Sequence, residues 1–138
     1  MMRVGEILGQ WEFTVEAGKV REFARAVQDT HWLDTSFAPP TFPMVISAAF
    51  VERLVTEILD VDRARTVHGE QRYEYFEPIR TGDVLRCVAR LVGDETKAGK
   101  RGGTMRIITT EVELISAKSG KLICRETMAS IEKEAEGA

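Results

Sequence analysis

The stretch "DTHWLD", Asp29 to Asp34, places two carboxylates and an imidazole within six residues. Acid–base chemistry uses such groups: one takes a proton from water, and a protonated one delivers a proton to carbon. Two carboxylates held close together raise the pKa of one of them, so Asp29 and Asp34 could work as a pair. His31 offers a second route. Each residue also has a plain structural reading. Asp29 ends a helix or starts an Asx turn, Asp34 caps the turn into Thr35-Ser36, and His31 is an exposed loop histidine. Trp32 reads as the packing anchor of this loop.

The other histidine, His68, stands in "VHGEQ" beside Gly69. A glycine in a strand marks a close backbone approach, by a ligand or by a second subunit. Equally, it marks a pairing constraint, with His68 bonded to Glu70 or Arg72. Glu52 and Glu57 lie late on an apolar helical stretch and read as solvent-facing. Lys97, Lys100 and Arg101 cluster in the glycine-rich "KAGKRGG", which reads first as a solvated hairpin tip.

The elements that must position these residues follow from periodicity. A strand-like "QWEFTV" precedes a short amphipathic helix over Glu16 to Gln28, with Val20, Phe23, Ala24 and Val27 at helical spacing. Pro39, Pro40 and Pro43 forbid a helix through the next segment, although Pro43 suits a first helical turn. "MVISAAFVERLVTEILD" is apolar nearly all round at its start, which predicts a helix buried most of the way round. From Thr66 the period becomes two. Val67, Tyr73 and Tyr75 oppose His68, Glu70, Arg72 and Glu74, and Leu85, Cys87, Ala89 and Leu91 alternate with Arg86 and Arg90. Hairpin signals join these runs, and Gly82-Asp83 supplies a tight turn between two of them. One central helix ahead of a curved antiparallel sheet is an α+β arrangement, with the sheet wrapping the helix.

Bulk properties narrow the function. A chain of 138 residues fits one domain, residues 1–138, with the end from 132 to 138 expected as a frayed tail. A net charge of -3 with no basic stripe argues against nucleic acid. Cys87 and Cys124 lie far apart with no clustered histidine, which argues against a metal site and for buried free thiols. The start lacks a charged segment followed by an apolar run, and Met44 to Val51 is too short to cross a bilayer. A soluble cytoplasmic protein without membrane contact is expected.

"FTVEAGKVREFARAV", "APPTFP", "HGEQRYEYFEPIRTGD" and "GKRGGTMRIITTEVEL" together resemble the MaoC-like dehydratase family with its hot-dog fold. Within it they resemble the fatty-acid-synthase-type dehydratase N-terminal domains, a subgroup including subunits of mycobacterial (3R)-hydroxyacyl-ACP dehydratases. The resemblance runs from about Trp11 to Ile131. It implies an (R)-specific enoyl-thioester hydratase or 3-hydroxyacyl-thioester dehydratase acting on an acyl-CoA or acyl-ACP, with no cofactor. The family's motif is Asp-x-Asn-Pro-x-His, whose Asp and His clasp the water, while backbone N–H groups near the central helix hold the carbonyl. In register, Asp29 matches the motif's Asp, His31 falls at its Asn, Trp32 at its Pro and Asp34 at its His. The carboxylate is kept and the imidazole is not.

Asp29, His31 and Asp34 are therefore the candidate catalytic residues. Thr41, Phe42, Pro43, His68, Gly69 and Gln71 are the candidate substrate contacts. Lys97, Lys100 and Arg101 are candidates for the phosphates of coenzyme A or the acidic face of a carrier protein. In this subgroup a chain lacking the pair can associate with one that carries it, so a heterodimer with a second hot-dog chain is expected. A self-sufficient homodimeric hydratase, an acyl-CoA thioesterase using Glu52 or Glu57, and a non-catalytic acyl-binding module remain the alternatives.

Overall fold

The period-two runs form five strands: β1 (Ile7–Thr14), β2 (Thr66–Tyr75), β3 (Val84–Ala98), β4 (Thr104–Ser116) and β5 (Leu122–Lys133). This is a computed structural model, and it describes residues 3–134. The strands pair antiparallel in the order β1-β3-β4-β5-β2. Register shifts at Ile7/Gly9, His68/Glu70, Leu91/Gly93 and Leu114/Ile115 bend them, and such bulges increase local twist. The curved sheet that results wraps one helical segment. β2 is an edge strand, so half of its backbone groups face no strand of this chain among the described residues.

α1 (Ala17–Ala26) buries Val20 and Ala24 and sets Phe23 edge-on to Phe42, with ring centroids 5.8 Å apart. Val27, expected on the same face, is exposed because the helix has stopped and Gln28 takes a left-handed φ of 61°. α2 (Pro43–Arg53) begins at Pro43 and passes into a π-helical turn over Leu54–Ile58, where the Leu59 N–H reaches back to the Leu54 carbonyl. Ile46, Phe50 and Leu54 recur at helical spacing on the buried face. Burial of each such side chain contributes roughly 1.5–3 kcal/mol. Trp11 stacks on Phe50 at 5.1 Å and donates from Nε1 to the Ile46 carbonyl at 3.1 Å, which fixes α2 against β1.

Two expectations change here. α2 is not buried most of the way round: Met44 is 54% exposed, and Ala48 and Ala49 are exposed beside it. The sheet of one chain covers only one face of an apolar helix. Second, Glu132 and Lys133 are not a loose tail but close β5, with the Glu132 carboxylate accepting from the Asp62 N–H at 2.6 Å. Residues 135–138 of that expected tail lie outside the described residues. No helix among the described residues is long and apolar enough to cross a membrane.

Candidate functional site

The "DTHWLD" carboxylates hold turns. Asp29 Oδ1 accepts from the His31 N–H at 2.8 Å, and Asp34 Oδ1 accepts from the Ser36 N–H at 3.0 Å. These are Asx turns, formed because a short acceptor can reach the backbone two residues on. The Ser36 N–H holds the Asp34 carboxyl below the usual carboxylate range. His31 is exposed, and Trp32 is half-buried under the Arg25 guanidinium, 4.7 Å from the ring centroid. The segment that follows is pinned to the chain after β2, with Thr81 N–H on the Ser36 carbonyl and Ala38 N–H on the Ile79 carbonyl.

Helix N-termini offer free N–H groups that suit a developing oxyanion. At the start of α2 the nearest ones are already engaged. Phe42 donates to Pro39, Met44 to Thr41 and Val45 to Phe42, and Pro43 has no N–H. Of the three candidate contacts here, Thr41 is exposed while Phe42 and Pro43 are buried in the core. Phe42 presents its ring to Phe13 and Phe23. The proline-rich approach is tied to β2 by Tyr75, whose hydroxyl donates to the Pro40 carbonyl at 2.6 Å.

β2 and β5 form the wall beside α2. In register, Tyr75 faces Cys124, Tyr73 faces Glu126, Gln71 faces Met128 and His68 faces Ser130. A cavity of about 280 Å³ lies at the His68 end, with Val51, Leu54 and Val55 of the helical segment above Met128 and Ser130. Another of about 350 Å³ lies at the Tyr75 end, against Pro40 and Ile79. Gly69 sits in the bulge, where an added Cβ would stand 2.5 Å from Ile131 Cδ1. Its missing side chain is thus filled from within the chain. Gly69→Ala should cost about 1 kcal/mol by crowding, read as a lower urea midpoint, and trimming Ile131 to Val should restore most of it.

Between the two cavities lies a residue that the sequence reading missed. Glu126 is 1% exposed, and neither of its carboxyl oxygens has a hydrogen-bond partner among the described residues. Burial pushes its pKa up to about 7, and Ser47 across on α2 pulls slightly the other way. Ser47 Oγ, Tyr73 OH and Thr110 Oγ1 are likewise buried without partners. The signal was present in "LICRETMASI", where strand alternation puts Cys124, Glu126, Met128 and Ser130 on one inward face. Both cysteines are buried free thiols, and desolvation raises each to about 12.

The remaining candidates lie apart. Lys97 pairs with Glu95 at 3.3 Å, while Lys100 and Arg101 stand exposed at the tip of the β3–β4 hairpin. Glu57 pairs with Arg53 at 3.4 Å on the exposed side of the helical segment, and Glu52 is exposed on that same segment.

Comparison with known proteins places this geometry. The family model for the FAS1-like dehydratase domain region matches residues 2–126. A UPF0336 protein of Saccharopolyspora erythraea is 31% identical over 137 residues, covering 88% of each chain. Among solved structures, a MaoC-like dehydratase superposes with a TM-score of 0.79 at 26% identity, covering 97% of this chain. This chain spans only 43% of that one's length. The C-terminally truncated HadBC (3R-hydroxyacyl-ACP dehydratase) complex of Mycobacterium tuberculosis superposes with a TM-score of 0.67 at 23% identity, covering 89% of this chain and 94% of that one. The curved sheet around one helix is the hot-dog fold that the sequence motifs resemble. With its family model matched over nearly its whole length, the chain belongs to the FAS1-like dehydratase domain region family.

Proposed function

We propose that this chain is the supporting subunit of an (R)-specific enoyl-thioester hydratase or 3-hydroxyacyl-thioester dehydratase, with the proton-transferring pair carried by a second hot-dog chain. One observation carries the reading: Asp29 and Asp34 accept backbone N–H groups in turns, and no imidazole stands at position 34. Hydration adds the water oxygen to C3 and a proton to C2 of the enoyl group. It needs a base on the water, an acid for C2 and donors on the thioester oxygen. The N–H groups of Phe42, Met44 and Val45 at the start of α2 are engaged within their own turn, so those donors are left to the partner as well.

This chain's part is to build walls. Met44 and Ala48, with Ala49 beside them, leave an apolar stripe exposed on α2, and β2 is a sheet edge with no strand beyond it among the described residues. A second hot-dog chain would cover the stripe and add its own edge strand to β2, joining two sheets into one. The Mycobacterium tuberculosis HadBC complex shares this fold, which supports pairing of this kind. The cavities along β2 and β5 would then lie at the seam, where an acyl chain could run between the helical segment and the sheet. His68, Gln71 and Tyr75 would be its lining.

Asp29→Asn tests the assignment of Asp29. The amide keeps an acceptor for the His31 N–H, so stability should change by less than about 1 kcal/mol. In a mixture with a hot-dog chain holding the intact motif, kcat for crotonyl-CoA hydration should stay within about twofold. A catalytic Asp29 would instead lose about 10²-fold or more.

A further inference from the structure

Glu126 occupies the centre of the contact between the helical segment and the sheet. It faces Ser47 from α2, Tyr73 and Tyr75 from β2, Cys87 from β3 and Cys124 on its own strand. On β4 its register partner is Val112, with Thr110 next along on the same inward face. Among the described residues no lysine, arginine or histidine contributes to its environment. Arg125, the nearest cation in sequence, points to the other face, where it pairs with Glu74, Glu111 and Glu113.

We propose that Glu126 is a protonation-controlled latch beneath the partner-facing surface: its neutral acid holds α2 and β2 against the sheet, and loss of the proton loosens both. An acid here buries one hydroxyl among other neutral hydroxyls. A carboxylate buries a full charge with no cation to meet it, at a large desolvation cost. Opening α2 or β2 admits water and lets the group ionise normally. The surrounding groups do not compete for the proton near neutrality: burial raises Tyr73 and both cysteines to about 12 and Tyr75 further still.

The two elements that touch Glu126 from above and from the side, α2 through Ser47 and β2 through Tyr73, carry the face proposed for the partner. What the latch regulates rests on that reading. A partner that clamps both elements selects the closed, protonated form, so association takes up protons and tightens as pH falls toward 5. By linkage, protonation then favours association to the same extent.

The latch itself is tested on the full chain alone, by hydrogen exchange from pH 5 to pH 8 with each rate divided by its chemical rate. Amides of α2 and β2 should open at least about tenfold more readily than those of the β3–β4 hairpin. Their opening constant should rise about 40-fold from pH 5 to pH 7 and level off at about 70-fold by pH 8, as expected for an acid near 7 when closed and near its ordinary value when open. In Glu126→Gln the profile should be flat. A flat profile in the unmodified chain, which requires no variant to fold, overturns the latch. So does a rise that persists in Glu126→Gln, or exchange of α2 and β2 only together with β3–β4. If the latch fails while mixing with a second hot-dog chain still yields hydration, the subunit assignment stands. If the latch holds and mixing yields nothing, that assignment falls instead.

Discussion

Glu126→Gln should make the folded chain more stable at pH 8 by about 3 kcal/mol, while changing it little at pH 5. The folded-state pKa of Glu126 is about 7, raised from an ordinary 4.5 by burial. Below 4.5 the group is protonated in both states and contributes no penalty. Between 4.5 and 7 the unfolded chain releases the proton and the folded chain keeps it, so each step upward in pH favours unfolding. Above 7 both states are ionised and the loss reaches its plateau. A difference of about 2.5 units corresponds to about 3 kcal/mol, large beside the total stability of a small domain. Glutamine retains the shape and cannot ionise, so its urea midpoint should stay level from pH 5 to pH 8 where that of the unmodified chain falls. Equal slopes in the two proteins would show that Glu126 does not titrate in the core.

Ala48→Glu addresses the surface rather than the core. Ala48 is exposed in the single chain, four residues from the exposed Met44 and next to the exposed Ala49 on α2. A charge there meets water when the chain is alone, so its stability should change by less than about 0.5 kcal/mol. Covered by a partner, the same carboxylate would be buried with no cation supplied for it, costing about 3–5 kcal/mol. Association should therefore weaken by roughly 150-fold to several thousand-fold, read by sedimentation or calorimetry. An unchanged affinity would move the interface off this helix.

These two residues show where sequence patterns run out. The sheet was legible because inward and outward positions alternate, as in Leu85, Cys87, Ala89 and Leu91 against Arg86 and Arg90, with Val88 the one buried residue out of step in this run. The start of α2 was legible from Pro43 and the apolar run behind it. How much of that run one chain covers was not, because periodicity reports apolar faces and not the number of surfaces available to bury them. Gly69 read as a close approach and proved to be one, but Ile131 of the same chain makes it. For Asp29 and Asp34 the motif register left two readings open, and backbone geometry shows both carboxylates holding turns. Glu126 escapes pattern reading because a charged letter in a strand reads as surface; only its parity with Cys124 and Met128 marks it as inward.

On this reading the chain forms half of a hydratase and leaves proton transfer to another chain. The most direct measurement is crotonyl-CoA hydration, followed as loss of enoyl-thioester absorbance, by this chain alone and after mixing with a hot-dog chain that carries the intact Asp-x-Asn-Pro-x-His motif. The expected result is no hydration above background by this chain alone, and in the mixture a rate at least about tenfold above that of the partner by itself. Hydration by this chain alone that is abolished in Asp29→Asn would contradict the account and return the chemistry to "DTHWLD".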